Sequence, residues 1–373
     1  MHTPTDAGAF DCGGCTACCR HFALGPVSDR IIDGLEAHGV REAWPAAKDG
    51  FAVRRAGPDG VEGWFLARRE DGGCIFLQDD GLCAVHARWG AAAKPAFCRE
   101  YPFALVEEAG DLQSPRVFVR ADCGGWAESF ADGTPIDAQA EAIVALRRIH
   151  PAGRFTMDPV VVLPGLGLGR DSWPTVEATI TPILGRPQPI EQTVHDVIDA
   201  LFKLIGRTRP QAQEGRTPAA VAHVHGRLRQ VLGPALANPP GDDPETRGMM
   251  GYLAAVDGLL AEAEGALPRG PGDARTPLEL DASALDYVSL VLRHQLHGRT
   301  FQDLGGLPGW LGTMVVGVRL AAAAAASDGT PVTARALGPR LATWVRLTRH
   351  ATARRLLADV RPVLEDVAMH AGA

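Results

Sequence analysis

No cysteine follows Cys123 in this 373-residue chain, so whatever thiols can do is confined to its first third. Lysine is nearly missing as well. Lys48, Lys94 and Lys203 are the only ones, and with a formal net charge of -7 the chain offers no basic footprint for nucleic acid or for an anionic membrane. The opening residues lack a basic stretch followed by an apolar one, which excludes the usual secretory signal and predicts a cytoplasmic, reducing location. Long hydrophobic runs are scarce. The one candidate, residues 310–326, has Arg319 near its middle and six weakly hydrophobic alanines, so it reads as a buried helix rather than a membrane span.

What remains is a globular composition, 46% hydrophobic and 22% charged, at a length that suggests two domains. All eight cysteines, Cys12, Cys15, Cys18, Cys19, Cys74, Cys83, Cys98 and Cys123, crowd into the first of them. An even count also permits a disulfide framework. Disulfide-dense folds are small and belong to oxidising compartments, whereas a chain this long buries a core without staples. Soft thiolates at short spacing are what zinc, copper(I) or an iron–sulfur cluster selects, so all eight are taken as candidate metal ligands.

Around them the pattern is short and loop-rich. Ser28 is placed to cap a helix reaching Ala37, with Ile31, Ile32 and Leu35 on one face. Residues 64–66 read as a strand. Residues 74–77 and 82–85 flank Asp80-Gly81 and predict a hairpin that brings Cys74 to Cys83. A second hairpin, 103–106 with 116–119, delivers Cys123 just past its end. Residues 151–189, rich in proline and glycine, predict a connector with one strand at 160–163. Beyond it, Ile190, Val194, Val197, Ile198, Leu201 and Ile205 recur at steps of three and four. Further helices are predicted near 217–232, 246–265, 281–297, 309–327, 340–358 and 361–370. The fold class is therefore α+β: a cysteine-cluster module over 1–130, a connector over 131–189 and an irregular all-helical domain over 190–373.

Cys12, Cys15 and Cys18 form the C-x2-C-x2-C run that supplies three thiolates to a cubane cluster in bacterial ferredoxins. Cys19 departs from that run by following Cys18 directly, and neighbours seldom reach one ion. The pair implies two centres, or one ligand beside a spectator; with a single centre, Cys19 and Cys74 are the spectators expected. Four cysteines also make a closed zinc site, and eight make two. The ferredoxin-like run, and the lack of a histidine at ligand spacing, favour iron–sulfur, with zinc the alternative.

Phe10 to Cys19, then Cys74 with Cys83, then Cys98-Arg99-Glu100-Tyr101-Pro102-Phe103 and finally Cys123-Gly124 resemble the YkgJ-type cysteine-cluster family, a zinc- or iron-chelating domain. Thr16, His86 and Lys94 replace the glycine, tyrosine and arginine usual there. The stretch from Cys83 to Cys98, with Gly90 between, and the helical second half are similar to the flagellin lysine-N-methylase group. That second resemblance, which lacks the CCxxW run, implies methyl transfer from S-adenosylmethionine to lysines of a protein substrate, beside the 4Fe-4S cluster that the Cys12–Cys18 run favours. The alternative is a non-catalytic metal-binding or metal-handling module with a helical partner-binding domain.

Other candidates rank below their plainer readings. Gly165, Gly167 and Gly169 have a nucleotide-loop form, but residues 170–174 are expected to break the chain rather than lead into a βαβ unit. His21 and His86 stand near the cysteines, yet eight thiols already suffice. Arg99 is placed to balance thiolate charge or to pair with Glu100 or Glu107, and residues 101–103 to pack around the site. No catalytic set stands out in the helical half.

Overall fold

The computed structural model of the chain describes residues 3–4, 6–22, 24–56, 62–108, 111–146, 153–155, 160–211, 216–267, 279–301, 304–326, 330–349 and 357–371. The first part holds short helices α1 (Ala17–His21), α2 (Asp29–Ala37), α3 (Val40–Ala43), α4 (Ala84–Trp89) and α5 (Ala96–Glu100) with strands β1 (Ala52–Ala56) and β2 (Glu62–Leu66). Next come β3 (Phe103–Glu108), β4 (Asp111–Val119), α6 (Trp126–Ser129), α7 (Ile136–Leu146), β5 (Gly153–Phe155), β6 (Val160–Leu163) and β7 (Leu166–Leu168). The remainder is helical: α8 (Trp173–Leu184), α9 (Ile190–Leu204), α10 (Arg216–Ala237), α11 (Pro244–Glu264), α12 (Ala282–His297), α13 (Leu307–Ala325), α14 (Ala334–Arg349) and α15 (Arg361–His370). The α+β class holds.

Two apolar clusters organise these elements. The smaller lies within residues 24–97, where Leu35 of α2, Phe51, Leu66 of β2, Phe76 and Leu77 are buried together. β1 and β2 pair antiparallel from Ala52 opposite Leu66 to Ala56 opposite Glu62, and the Trp64 indole donates to Asp29 at the start of α2 (2.8 Å). Ser28 occupies the cap position with extended backbone, but its hydroxyl makes no capping bond. The turn closes instead through its carbonyl, which accepts from Ile31 N–H at 2.9 Å.

The larger cluster begins with Ala7 and Phe10, resumes at Phe103 and runs to Ala371. β3 and β4 form the second predicted hairpin, Phe103 opposite Val119, and β5 joins β3 in parallel. The boundary drawn at residue 130 falls inside this core, between fully buried Trp126 and Ile136. α13 runs through its middle against α9, α10, α11, α14 and α15. Its length and composition would suit a membrane span, yet 94% of its apolar window is buried inside the protein, and Arg319 pairs with Glu191 of α9. Gly312 lets α13 touch α15, because an added Cβ would lie 1.8 Å from the Leu364 carbonyl oxygen.

Four local expectations need correction. Residues 74–77 and 82–85 are not two strands: the structure has one bridge, Leu77 to Cys83, and a turn closed by Gln78 N–H to Leu82 C=O (2.9 Å). The second arm becomes α4, since Cys83 turns the chain into a helix before a ladder can extend. The predicted connector over 131–189 also contains α7, β5, β7 and α8. Residues 170–174 do not break the chain, because Pro174 sits in the first turn of α8, where a missing N–H costs nothing. The glycine-rich segment itself is an antiparallel β6–β7 hairpin turning at Gly165 (φ 73°), so the βαβ context of a nucleotide loop is absent there. The helix expected over 340–358 starts at Ala334 and is described to Arg349, and residues 350–356 of that expectation lie outside the described residues.

Candidate metal centre

The opening cysteine run is held by its flanks. Asp11 N–H donates to Ser129 Oγ (2.9 Å), and its carboxylate accepts from Thr134 Oγ1 (2.8 Å), which lays the loop against α6. Thr16, in the left-handed region at φ 60°, turns the chain into α1, where its carbonyl accepts from Cys19 and Arg20 N–H. Cys12 and Cys15 are exposed on the loop, and Cys18 and Cys19 are half-buried on α1. None of the eight cysteines is disulfide-bonded. The disulfide alternative therefore has no support in the fold.

The thiols fall into two adjoining groups. In the first, Cys18 and Cys19 have their Sγ atoms 3.9 Å apart, and the Cys19 carbonyl accepts from Cys74 N–H at 2.8 Å. Cys74 is buried beneath α1. Burial pushes its thiol up to about 12, with Cys83 and Cys18 adding to the shift. Cys98 on α5 is pushed well above the ordinary thiol range by burial, then by Cys74, Cys18 and Cys83. The Lys94 ammonium opposes the upward shifts of both Cys18 and Cys98. The cation at that position is thus kept although lysine stands where the resembling family has arginine.

The second group is Cys15 with Cys123, which lies just past β4. The Cys15 thiol is held down to about 6, chiefly by its hydrogen bond with Cys123; backbone N–H groups of Ala17 and Gly125 and the Arg346 guanidinium lower it further, against the opposing effect of burial. The same hydrogen bond, and then burial, push Cys123 upward. Cys15 also pushes the Cys18 thiol upward, so the two groups act on each other electrostatically. Among the described residues, no three Cys, His, Asp or Glu side chains stand at metal-holding geometry. The sulfurs are gathered without being closed on one point, and Cys12 stays at the exposed edge.

Of the two histidines, His86 is exposed on α4. His21 packs its ring 5.9 Å from Tyr252 of α11, and burial, with Arg346, Arg20 and Arg68, lowers it to about 4, so the imidazole is neutral at pH 7. Its Nδ1 is buried without a hydrogen-bond partner, as are Arg99 Nε and Tyr101 Oη. The Tyr101 ring meets Phe22 at 5.0 Å, with the Arg120 guanidinium 5.1 Å from its centre. The packing role expected of residues 101–103 is what the structure shows at Tyr101. Arg120 also holds fully buried Asp122, Nη2 to Oδ2 at 2.7 Å, beside Cys123.

The module is fastened to the helical half. Arg68, its side chain only 4% exposed, donates to the carbonyls of Arg20 (3.1 Å), Gly72 (2.6 Å) and Phe22 (2.6 Å) and to Glu245 of α11 (2.8 Å). Arg346 of α14 reaches the other side. Its Nη2 donates to the Asp122 carbonyl at 2.7 Å, and its guanidinium lies 5.3 Å from the Phe22 ring centre and 5.9 Å from that of Tyr252. Sequence reasoning missed Arg346 because no local motif surrounds it. Asp122, adjacent to Cys123, was the signal within reach.

Residues 11–118 match the family model CxxCxxCC, described as "Putative zinc- or iron-chelating domain". No curated protein and no solved structure matches the chain. Cys123 and Arg346 lie beyond the matched segment.

Proposed function

We propose that the protein, whose residues 11–118 match the model of a zinc- or iron-chelating domain, carries a thiolate-bound metal centre, an iron–sulfur cluster, in a reducing cytoplasmic setting. The observation that carries this reading is the convergence of unpaired thiols from four separate parts of the module: the α1 region, the Cys74–Cys83 turn, α5 and the end of β4. The donor set fits the group. It is all sulfur, with Cys18, Cys74, Cys83 and Cys98 acting electrostatically on one another and Cys15 on Cys123, and soft thiolates select iron–sulfur or zinc over hard cations. Buried polar atoms without a partner occur at His21, the last residue of α1, and at Tyr101, the residue after α5. Cys12 completes the C-x2-C-x2-C run.

Such a centre supplies redox or radical chemistry if it is iron–sulfur and structural cross-linking if it is zinc. Anaerobic purification of the full chain, followed by metal and acid-labile sulfide analysis, tests the reading. Iron with matching sulfide supports it; zinc without sulfide keeps the metal centre and removes the redox role; no metal after reconstitution with either removes both. The helical half is read as the surface for a protein partner or substrate. Methyl transfer to protein lysine from S-adenosylmethionine is the finer reading that the flagellin-enzyme resemblance implies. Calorimetry of the metal-loaded protein with S-adenosylmethionine tests it, and an absence of heat sinks it.

A further inference from the structure

The Cys15–Cys123 pair has a neighbour from the far end of the chain. Arg346 is 5% exposed, and burying a guanidinium is costly unless its charge and its donors are met. One donor is met by the Asp122 carbonyl, while Nε is buried with no hydrogen-bond partner. Two more buried polar atoms without a partner stand around it. His21 Nδ1 is on the ring that packs against Tyr252, and Tyr101 Oη is on the ring that packs against Phe22, the two rings that Arg346 itself covers. Folded proteins leave few such atoms unmet, and these three belong to one packed group of side chains, His21, Phe22, Tyr101, Tyr252 and Arg346. A thiolate-bound ion or cluster carries net negative charge and sulfur acceptors, and would meet both needs at once.

We propose that Arg346, supplied by α14 of the helical half, is a positioning residue for the metal centre, balancing the charge of the thiolates at Cys15 and Cys123 and fixing Cys123 through the Asp122 carbonyl. The inference rests on the metal reading above and adds to it that the family-matched module is electrostatically incomplete without the helices. Arg346 touches no reacting atom. Its effect passes through the ligands, by way of the Asp122 carbonyl beside Cys123.

The test measures Zn(II) affinity of the full chain by competition with a chromophoric chelator, for wild type, Arg346→Gln, Arg346→Met and Arg346→Lys. Loss of a group that orients ligands typically weakens metal binding about 10–100-fold. That loss is expected for Gln and for Met, the latter keeping an unbranched stem against Phe22 and Tyr252. Lysine restores the charge without the planar fork and is expected to fall between them and wild type. Melting of the metal-free proteins is followed in parallel. Wild-type affinity in Gln and Met overturns the inference, and so does a Lys variant as weak as Gln with an equally lowered metal-free melting temperature, which marks a packing role. If wild type takes up neither Zn(II) nor a reconstituted iron–sulfur cluster, the functional reading has failed first, and that outcome is visible without any variant.

Discussion

The apolar cluster within residues 24–97 is assembled from Leu35, Phe51, Leu66, Phe76, Leu77 and a few smaller side chains set among thiols, whereas the cluster from Phe103 to Ala371 buries Trp126, Trp310 and Trp344 completely and threads an entire helix through its centre. Burial of apolar surface scales steeply with size, so the second can hold itself together and the first cannot do so comfortably. Small regions of this kind recruit another source of folding energy, and a thiolate-bound metal is one. The difference also explains where the cysteines sit. Cys123 alone belongs to the large cluster, and it is the one tied to Arg346 through its neighbour Asp122.

The comparison breaks first at α13. Gly312→Ala puts a methyl group into the space of the Leu364 carbonyl, and overpacking of that severity is expected to cost about 3 kcal/mol or more. Urea unfolding followed at the helical half measures it; an unchanged midpoint would mean that the large core is not close-packed at its centre. Next comes the seam. Arg68→Ala strands three carbonyls and is expected to cost about 1–3 kcal/mol, while Glu245→Ala removes only a partner that is 44% exposed and should cost about 1 kcal/mol or less. Equal costs would mean that the seam is held by the ion pair rather than by the buried guanidinium.

The mildest expectation changes no stability. In the metal-stripped chain the Cys15 thiol, held down to about 6, should be alkylated at half its maximal rate near that pH, because the thiolate is the nucleophile. Cys74, pushed up to about 12, should stay largely unmodified at neutral pH. Mass spectrometry of the two peptides across pH reads both, and similar profiles would dissolve the distinction between the two thiol groups.

Sequence pattern shows most plainly where packing is periodic. The spacing of Ile190, Val194, Val197, Ile198 and Leu201 places α9 because a helix buried on one face must repeat at that step, and α15 appears over the residues predicted. Short elements carry too few repeats. Residues 84–89 fit the arm of a hairpin as well as a turn of helix, and only the packing of Ala84 and Val85 into the small cluster decides it. All eight candidate ligands could be read from their spacing, and so could the family they resemble. Their grouping could not, since the Cys15–Cys123 contact spans most of the module and Arg346 arrives from a helix whose local pattern speaks only of its apolar face.

Hydrogen exchange on the full chain, metal-loaded against chelator-stripped, tests most directly the claim that metal holds the small cluster while apolar burial holds the large one. The account predicts that stripping erases protection at Leu35, Leu66, Phe76 and Leu77 and leaves it at Val117, Val119, Tyr287 and Val315. Full protection of the first set without metal would contradict it.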